Sequence, residues 1–128
     1  MKYDLYSELS QSEIFSRTFD VIIDRPIGYH HVKGSKSFTY PINYGEIPGL
    51  LGGDGELQDV YVLGVTEPIE TFRGRIIAII HRHNDVEDKW VTCPEGMTFT
   101  KAEIEAAVNF QEQYYSSVTI LPDETEEA

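Results

Sequence analysis

Three carboxylates lie within six residues of one another, at Asp54, Glu56 and Asp59. Four glycines between positions 49 and 55 surround them and allow the backbone to bend tightly. A tight bend would bring the three side chains to one point, where their charges repel unless a cation neutralises them. Because the ligands are oxygens and include no thiolate, the cluster favours a hard cation, Mg²⁺ or Mn²⁺ before Zn²⁺.

The segments around this cluster resemble a known signature. Residues 40–48 read YPINYGEIP, residues 54–59 read DGELQD, and an apolar stretch follows at 60–63. This arrangement resembles the soluble family I inorganic pyrophosphatases, which carry YPxNYGxIP followed by DGDPxD and a short apolar strand. The acidic box keeps both outer aspartates, has Glu56 in place of the middle aspartate, and lacks the proline. The resemblance covers residues 18 to 115.

The resemblance implies hydrolysis of inorganic pyrophosphate to two phosphates with Mg²⁺ as cofactor, or Mn²⁺ in its place. Asp54 and Asp59 match metal ligands of that family. Glu56 matches the base, which would take the proton of the attacking water or orient that water.

A second acid-rich segment, NDVEDK at residues 84–89, precedes an apolar stretch that leads to a proline. It resembles the second acidic motif of the same family, in which two aspartates and a lysine precede a strand. Asp85 and Asp88 are the candidate metal ligands, and Lys89 is the candidate catalytic cation. The loop is short, so Glu87 is the alternative to Asp88 as the second ligand.

The remaining substrate contacts implied by the resemblance come from tyrosines and basic residues. Tyr44 belongs to the tyrosine run, and Tyr114 matches a phosphate-binding tyrosine at the end of the last helix, with core packing as its alternative role. Asp24 takes the place of an acid at the end of the first strand, where a solvated strand end is the alternative. Arg25 and Lys33 are the candidates to replace missing cations. The wider basic set is Arg25, His30, His31, Lys33 and Lys36.

Short segments rich in β-branched residues, separated by Gly and Pro turns, favour a small β-barrel. The resemblance implies a mainly β fold, a small closed five-stranded OB-like barrel with a C-terminal helix packed on it. We expect strands at 18–24, 60–63, 75–83, 90–94 and 117–121, a hairpin within 27–39, and a helix that starts at a Thr100–Glu103 capping box. His81 and His83 would share one face at a strand end, where histidines are more often structural or exposed than ligands.

The composition limits the class of protein. The 128 residues predict one domain over 1–121, followed by an acidic disordered tail at 122–128. A formal net charge of −12 argues against nucleic-acid and membrane partners, which bind basic patches. The single cysteine, Cys93, fits a reducing cytoplasm. The composition favours a cytoplasmic protein, and the resemblance implies a homo-oligomer with a small-molecule phosphate substrate.

Two alternatives remain open from the sequence. One is a related phosphoanhydride hydrolase that acts on another substrate. The other is a barrel that has kept its acids for structure or ion binding and only binds metals, ligands or partners.

Overall fold

The computed structural model describes residues 9–52, 55–83 and 87–124. In chain order the elements are α1 (Gln11–Ser16), β1 (Thr18–Arg25), β2 (His30–Lys33), β3 (Lys36–Thr39), β4 (Asn43–Leu51), β5 (Leu57–Val62), β6 (Thr71–Arg82), β7 (Asp88–Thr92), α2 (Lys101–Glu112) and β8 (Ser117–Ile120). A short 3₁₀ turn, Pro122–Glu124, follows β8. No helix in these described ranges is long and apolar enough to cross a membrane.

Five strands close into a barrel. Hydrogen bonding runs in the order β1-β4-β5-β7-β6, and β6 pairs with β1 to complete the ring. The β5–β7 pairing is parallel and the other pairings are antiparallel. Strand β8 extends the sheet along β6, and β2 and β3 form the predicted hairpin. The predicted five-stranded OB-like barrel is confirmed.

Alternation along the strands separates two cores. In β5, Val60 and Val62 belong to a cluster with Trp90 of β7. Tyr61, between them in sequence, belongs to a second cluster that includes Ile104 of α2. Because neighbouring strand residues face opposite sides of a sheet, the first cluster fills the barrel and the second lies between its outer surface and α2.

Local sequence determines how α2 begins. The Thr100 hydroxyl accepts a hydrogen bond from the Glu103 amide at 3.1 Å, and the Glu103 carboxylate accepts one from the Thr100 amide at 2.8 Å. This capping box confirms the predicted start and satisfies two helical amides that have no intrahelical partner. Ile104, in the first full turn, is buried against the barrel. The helix thus begins where its apolar face first meets the outer core.

Barrel strand β4, Asn43–Leu51, was absent from the expected strands, and two predicted boundaries were also wrong. Strand β6 begins at Thr71, not near residue 75, because its first five residues pair with β1 and close the barrel. Helix α2 ends at Glu112, so Tyr114 and Tyr115 lie in the turn that follows it. The predicted tail begins with the 3₁₀ turn, and residues 125–128 lie outside the described ranges.

Candidate active site

A pocket of about 300 Å³ opens on the outer surface of the barrel, beside the core that α2 covers. Its side chains continue the outward-facing rows of three strands. Asp59 is two residues before Tyr61 of the outer core, and Lys89 is two residues before Val91 of the same core. Strand alternation therefore places these polar groups beside apolar ones on one surface.

The pocket collects cations in an acidic protein. The chain has ten Lys and Arg residues against 22 acids. Five of those ten basic residues line this one pocket: Arg25, Lys33, Lys36, Arg82 and Lys89. Such a concentration attracts an anionic ligand that the rest of the surface would repel.

Lys89 is the central cation of the pocket. Its Nζ donates to Asp59 Oδ2 at 2.6 Å and lies 3.1 Å from Glu87 Oε2. Its side chain is only 6% exposed, and Nζ lies 5.7 Å from the centre of the Tyr44 ring. The two carboxylates and the aromatic ring hold the ammonium group in one place on the pocket wall.

The tyrosine run combines structural residues with one residue that lines the pocket, Tyr44. Gly45 lies where β1 and β4 approach so closely that a Cβ would collide with the carbonyl oxygen of Ile22. The buried Asn43 side chain accepts from the Ile27 amide at 3.1 Å and donates to the Glu67 carbonyl at 3.0 Å. These two residues are structural, whereas Tyr44 lines the pocket. Burial, followed by the nearby charge of Asp59, raises the pKa of Tyr44 well above its usual value, so its hydroxyl stays protonated.

A register shift in β1 explains why two adjacent residues reach the same pocket. The pairing of β1 with β4 is irregular between Ile23 and Arg25. Asp24 and Arg25 both line the pocket, although neighbours in a regular strand would face opposite sides. Bulges of this kind re-aim side chains next to active sites.

A chain of hydrogen bonds runs beneath the pocket from Arg25 to α2. Arg25 Nη1 donates to the Tyr40 hydroxyl at 2.8 Å, and that hydroxyl donates to Gln111 Oε1 at 2.7 Å. Gln111 Nε2 then donates to the Tyr61 hydroxyl at 2.6 Å. The guanidinium of Arg25 is thereby fixed to the helix that covers the outer core.

The same chain ends in a buried ion pair. The Tyr61 hydroxyl donates to Glu112 Oε2 at 2.6 Å. Arg82 holds that carboxylate with two bonds, from Nε at 3.1 Å and from Nη2 at 2.7 Å, and stacks on the Tyr115 ring at 3.7 Å. Burial disfavours the charged form of Arg82, but the bonds and charge of Glu112 outweigh it and raise the pKa of Arg82. Arg82 therefore stays a cation at the edge of the pocket.

The hairpin contributes the outer wall. Lys36 Nζ lies 5.1 Å from the centre of the Tyr114 ring and 5.0 Å from that of Tyr115. Phe38 stacks on Tyr114 with ring centres 5.9 Å apart. These contacts bring β3 against the turn after α2, and Lys33 of β2 lines the same pocket. Tyr114 therefore lines the pocket and contacts Phe38, but at 43% exposure it is not a core residue, and phosphate binding by Tyr114 stays a prediction.

Carboxylates in the pocket repel one another. Glu46 and Asp59 are direct cross-strand partners, an arrangement that is unfavourable for like charges. Burial, then the charges of Asp24, Asp59 and Glu56, raises the pKa of Glu46. Burial also raises the pKa of Asp24, to which Asp59 adds, against the opposing effects of a backbone hydrogen bond and of Arg25. Oxygen donors in mutual repulsion are chemically suited to a hard cation.

The raised pKa of Asp24 predicts a pH-dependent stability. The folded protein binds this proton more tightly than the unfolded chain, whose pKa is near 3.8. The contribution of Asp24 to stability is therefore full below that value and is lost as pH rises through the higher folded pKa. Without divalent cations, Asp24→Asn should melt above the wild type at pH 7, and the gain should vanish toward pH 4. Thermal unfolding across pH measures this, with Asp20→Asn on the same strand as the control; a gain independent of pH would contradict it.

The structure brings most of the predicted site residues together. Those that line the pocket are Arg25, Lys33, Tyr44, Asp59, Lys89 and Tyr114. Glu56 is exposed and lies outside the pocket lining, although its charge reaches Glu46. Asp88 also lies outside the lining and bonds to His81 Nδ1 at 2.9 Å, whereas Glu87 lines the pocket. Asp54 and Asp85 lie outside the described residues.

Sequence reasoning missed Arg82, Gln111 and Glu112. Arg82 is two residues after the outer-core residue Ile80, so the alternation of β6 could have placed it on the pocket side. Nothing in the sequence indicates that Glu112 is its partner, because the two residues are brought together only when α2 packs on the barrel.

The pocket suits a metal ion in the type of donor atoms that line it. Within residues 9–52, 55–83 and 87–124, no group of three or more His, Cys, Asp or Glu side chains is arranged to hold a metal ion. The pocket does offer oxygen donors from Asp24, Glu46, Asp59 and Glu87. This donor set suits Mg²⁺, which binds through one or two carboxylates and keeps several of its waters.

Comparisons with known proteins find the fold and no close sequence relative. No family model matches the chain, and no curated protein sequence matches it significantly. The structure is similar to the inorganic pyrophosphatase of Ehrlichia chaffeensis, with a TM-score of 0.62 and 20% identity over 85% of this chain and 88% of that one. It is also similar to that of Coxiella burnetii, with a TM-score of 0.57 and 22% identity over 80% and 83%. The inorganic pyrophosphatase of Neisseria gonorrhoeae is similar too, with a TM-score of 0.55 and 18% identity over 92% of this chain and 87% of that one. At these identities the likeness establishes the fold.

Proposed function

We propose that this protein hydrolyses inorganic pyrophosphate to two phosphates with Mg²⁺ as cofactor. The observation that carries the proposal is the pocket itself, where five of the ten basic residues surround a cluster of carboxylates. A phosphoanhydride is a small polyanion whose cleavage requires charge neutralisation and a nucleophilic water. The fold shared with solved inorganic pyrophosphatases supports the same reaction.

The cations of the chain would bind and orient the substrate. Lys89, fixed between Asp59 and Glu87, donates to phosphate oxygens on one wall. Arg25, fixed by Tyr40, donates from another wall. Tyr44 remains protonated, and its hydroxyl lies beside Asp59 in the same pocket. Because these donors are held by neighbouring groups before substrate arrives, they stabilise charge without reorganising.

The carboxylates would bind the metal. We assign this role to Asp59, with Asp54 and Asp85 as further ligands. Glu87 is the preferred fourth ligand over Asp88, since it lines the pocket and lies two residues before Lys89. Bound Mg²⁺ would neutralise phosphate charge and lower the pKa of a water molecule. Glu56 would orient that water or accept its proton.

A phosphate-release screen tests the proposal. Pyrophosphate, polyphosphate and nucleotides are each supplied with Mg²⁺ or Mn²⁺, and phosphate is measured for the wild type and for Asp59→Ala. Release from pyrophosphate that Asp59→Ala abolishes is expected. Release only from another phosphoanhydride identifies a related hydrolase. Absence of release with either metal favours a barrel that binds ligands without catalysis.

Shortening Glu56 by one methylene should preserve or raise turnover. Asp is the residue that the family signature has at this position, and a misplacement of about 1 Å can cost roughly 100-fold in rate. The side chain is exposed, so Glu56→Asp should leave the melting temperature unchanged. The measurement is kcat for pyrophosphate with Mg²⁺. A large fall in this variant, with the fold intact, would count against Glu56 as the base.

A further inference from the structure

Two histidines form a polar cluster outside the lining of the pocket. His81 lies near the end of β6, and His83 follows that strand by one residue. Their ring centres are 5.7 Å apart and their planes are inclined by 76°. The His81 side chain is 49% exposed, and His83 is exposed as well. Solvent can therefore reach both rings.

Each ring is oriented through the same nitrogen. His81 Nδ1 lies 2.9 Å from Asp88 Oδ1, and His83 Nδ1 lies 3.1 Å from Ser116 Oγ. The His83 amide also donates to the Ser116 carbonyl at 2.8 Å, which fixes the backbones that carry this second contact. In the described part of the chain no other hydrogen bond engages either ring. The Asp88 carboxylate accepts the hydrogen of His81 Nδ1, which leaves the lone pair of that ring on Nε2, and the Ser116 hydroxyl is able to accept from His83 Nδ1 in the same way.

The spacing of the rings suits one shared ion. A zinc ion lies 2.0–2.1 Å from a ligating nitrogen, and so roughly 3 Å from the centre of that ring. Two rings that share the ion therefore have centres up to roughly 6 Å apart. The observed 5.7 Å is within this limit. Imidazole nitrogens suit Zn²⁺, Cu²⁺ or Ni²⁺, in contrast to the oxygen donors of the pocket.

We infer that His81 and His83 bind a borderline divalent cation of the zinc class through their Nε2 atoms. Water completes the coordination, because the described residues hold no group of three ligating side chains. Asp88 and Ser116 are positioning residues that hold the two imidazoles from behind. The inference revises the structural or exposed role that the sequence favoured for these histidines. It is independent of the proposed hydrolase activity.

The binding test titrates Zn²⁺ into the full chain by calorimetry, with Mg²⁺ in excess to occupy oxygen ligands. His81→Gln and His83→Gln should each weaken Zn²⁺ binding at least about 10-fold. His30→Gln is the matched control, because His30 already bonds Thr39 Oγ1 through Nδ1 at 3.1 Å and Ser37 Oγ through Nε2 at 3.2 Å. His30→Gln should bind Zn²⁺ with the affinity of the wild type.

Two further measurements separate this site from the pocket. Ser116→Ala removes only the orienting group and should weaken binding about 10- to 100-fold. Side-chain ¹H–¹⁵N spectra should show Zn²⁺-dependent shifts at Nε2 of His81 and His83. Unchanged affinity in both histidine variants would overturn the inference. So would Zn²⁺ binding that Asp59→Ala removes and His83→Gln leaves intact.

Discussion

Replacing Arg82 with alanine is expected to lower the free energy of unfolding by about 3–5 kcal/mol. The side chains of Arg82 and Glu112 are only 4% and 6% exposed. Removing the guanidinium leaves the Glu112 carboxylate buried with the Tyr61 hydroxyl as its remaining donor. It also removes the stacking on Tyr115. Chemical denaturation of the wild type and the variant measures the difference.

The exposed pair between Arg73 and Asp20 is the matched control. Its atoms are also 2.7 Å apart, but the side chains are 64% and 67% exposed. Asp20→Ala should therefore cost no more than about 1 kcal/mol. A loss of that small size in Arg82→Ala would show that water reaches Glu112 freely.

A double variant separates charge burial from packing. Arg82→Met combined with Glu112→Leu removes both charges and keeps much of the volume. Replacing a whole buried pair by apolar groups is often neutral or stabilising. The double variant should therefore recover most of the stability that Arg82→Ala loses. Failure to recover would assign the loss to lost packing against Tyr115 instead of to an isolated charge.

Short-range patterns in the sequence predicted much of the fold. The continuous apolar run at 60–63 predicts a buried strand, and the reciprocal Thr100–Glu103 bonds depend on residues three apart. Such features are local, so the sequence alone is enough to find them. The closed barrel was predicted by resemblance, since the β1–β6 pairing joins segments about fifty residues apart.

Site residues could be predicted where a residue of a family motif also occupies an outward-facing position of a strand. Asp59 and Lys89 each precede an outer-core residue by two positions, and both line the pocket. Whether Glu87 or Asp88 lines the pocket depends on the residue at which β7 begins. The composition of the segment does not determine that residue. Asp88 is the first residue of β7 and faces its cross-strand partner His81. Glu112, the partner of Arg82, and Gln111, which bonds the Tyr40 hydroxyl that holds Arg25, both belong to α2, which packs on the barrel only in the folded protein.

Lys89→Met is expected to reduce kcat for pyrophosphate about 100- to 1,000-fold, the usual cost of losing one preorganised donor. The lysine is fixed by Asp59 and Glu87 before any ligand binds, so its loss removes a cation held at a defined position on the pocket wall. Methionine keeps most of the apolar stem in the same buried space. Steady-state phosphate release with Mg²⁺ measures kcat and KM separately.

The control for Lys89→Met is Arg73→Met, which also removes one positive charge but outside this pocket. It should keep kcat within about twofold, since an exposed charge contributes little beyond its own surroundings. Loss of Lys89 also leaves Asp59 and Glu87 without the ammonium between them, and Mg²⁺ should then raise the melting temperature more than in the wild type. A folded Lys89→Met variant that keeps wild-type kcat would remove Lys89 from the catalytic residues. It would leave Arg25 and the metal to neutralise the substrate.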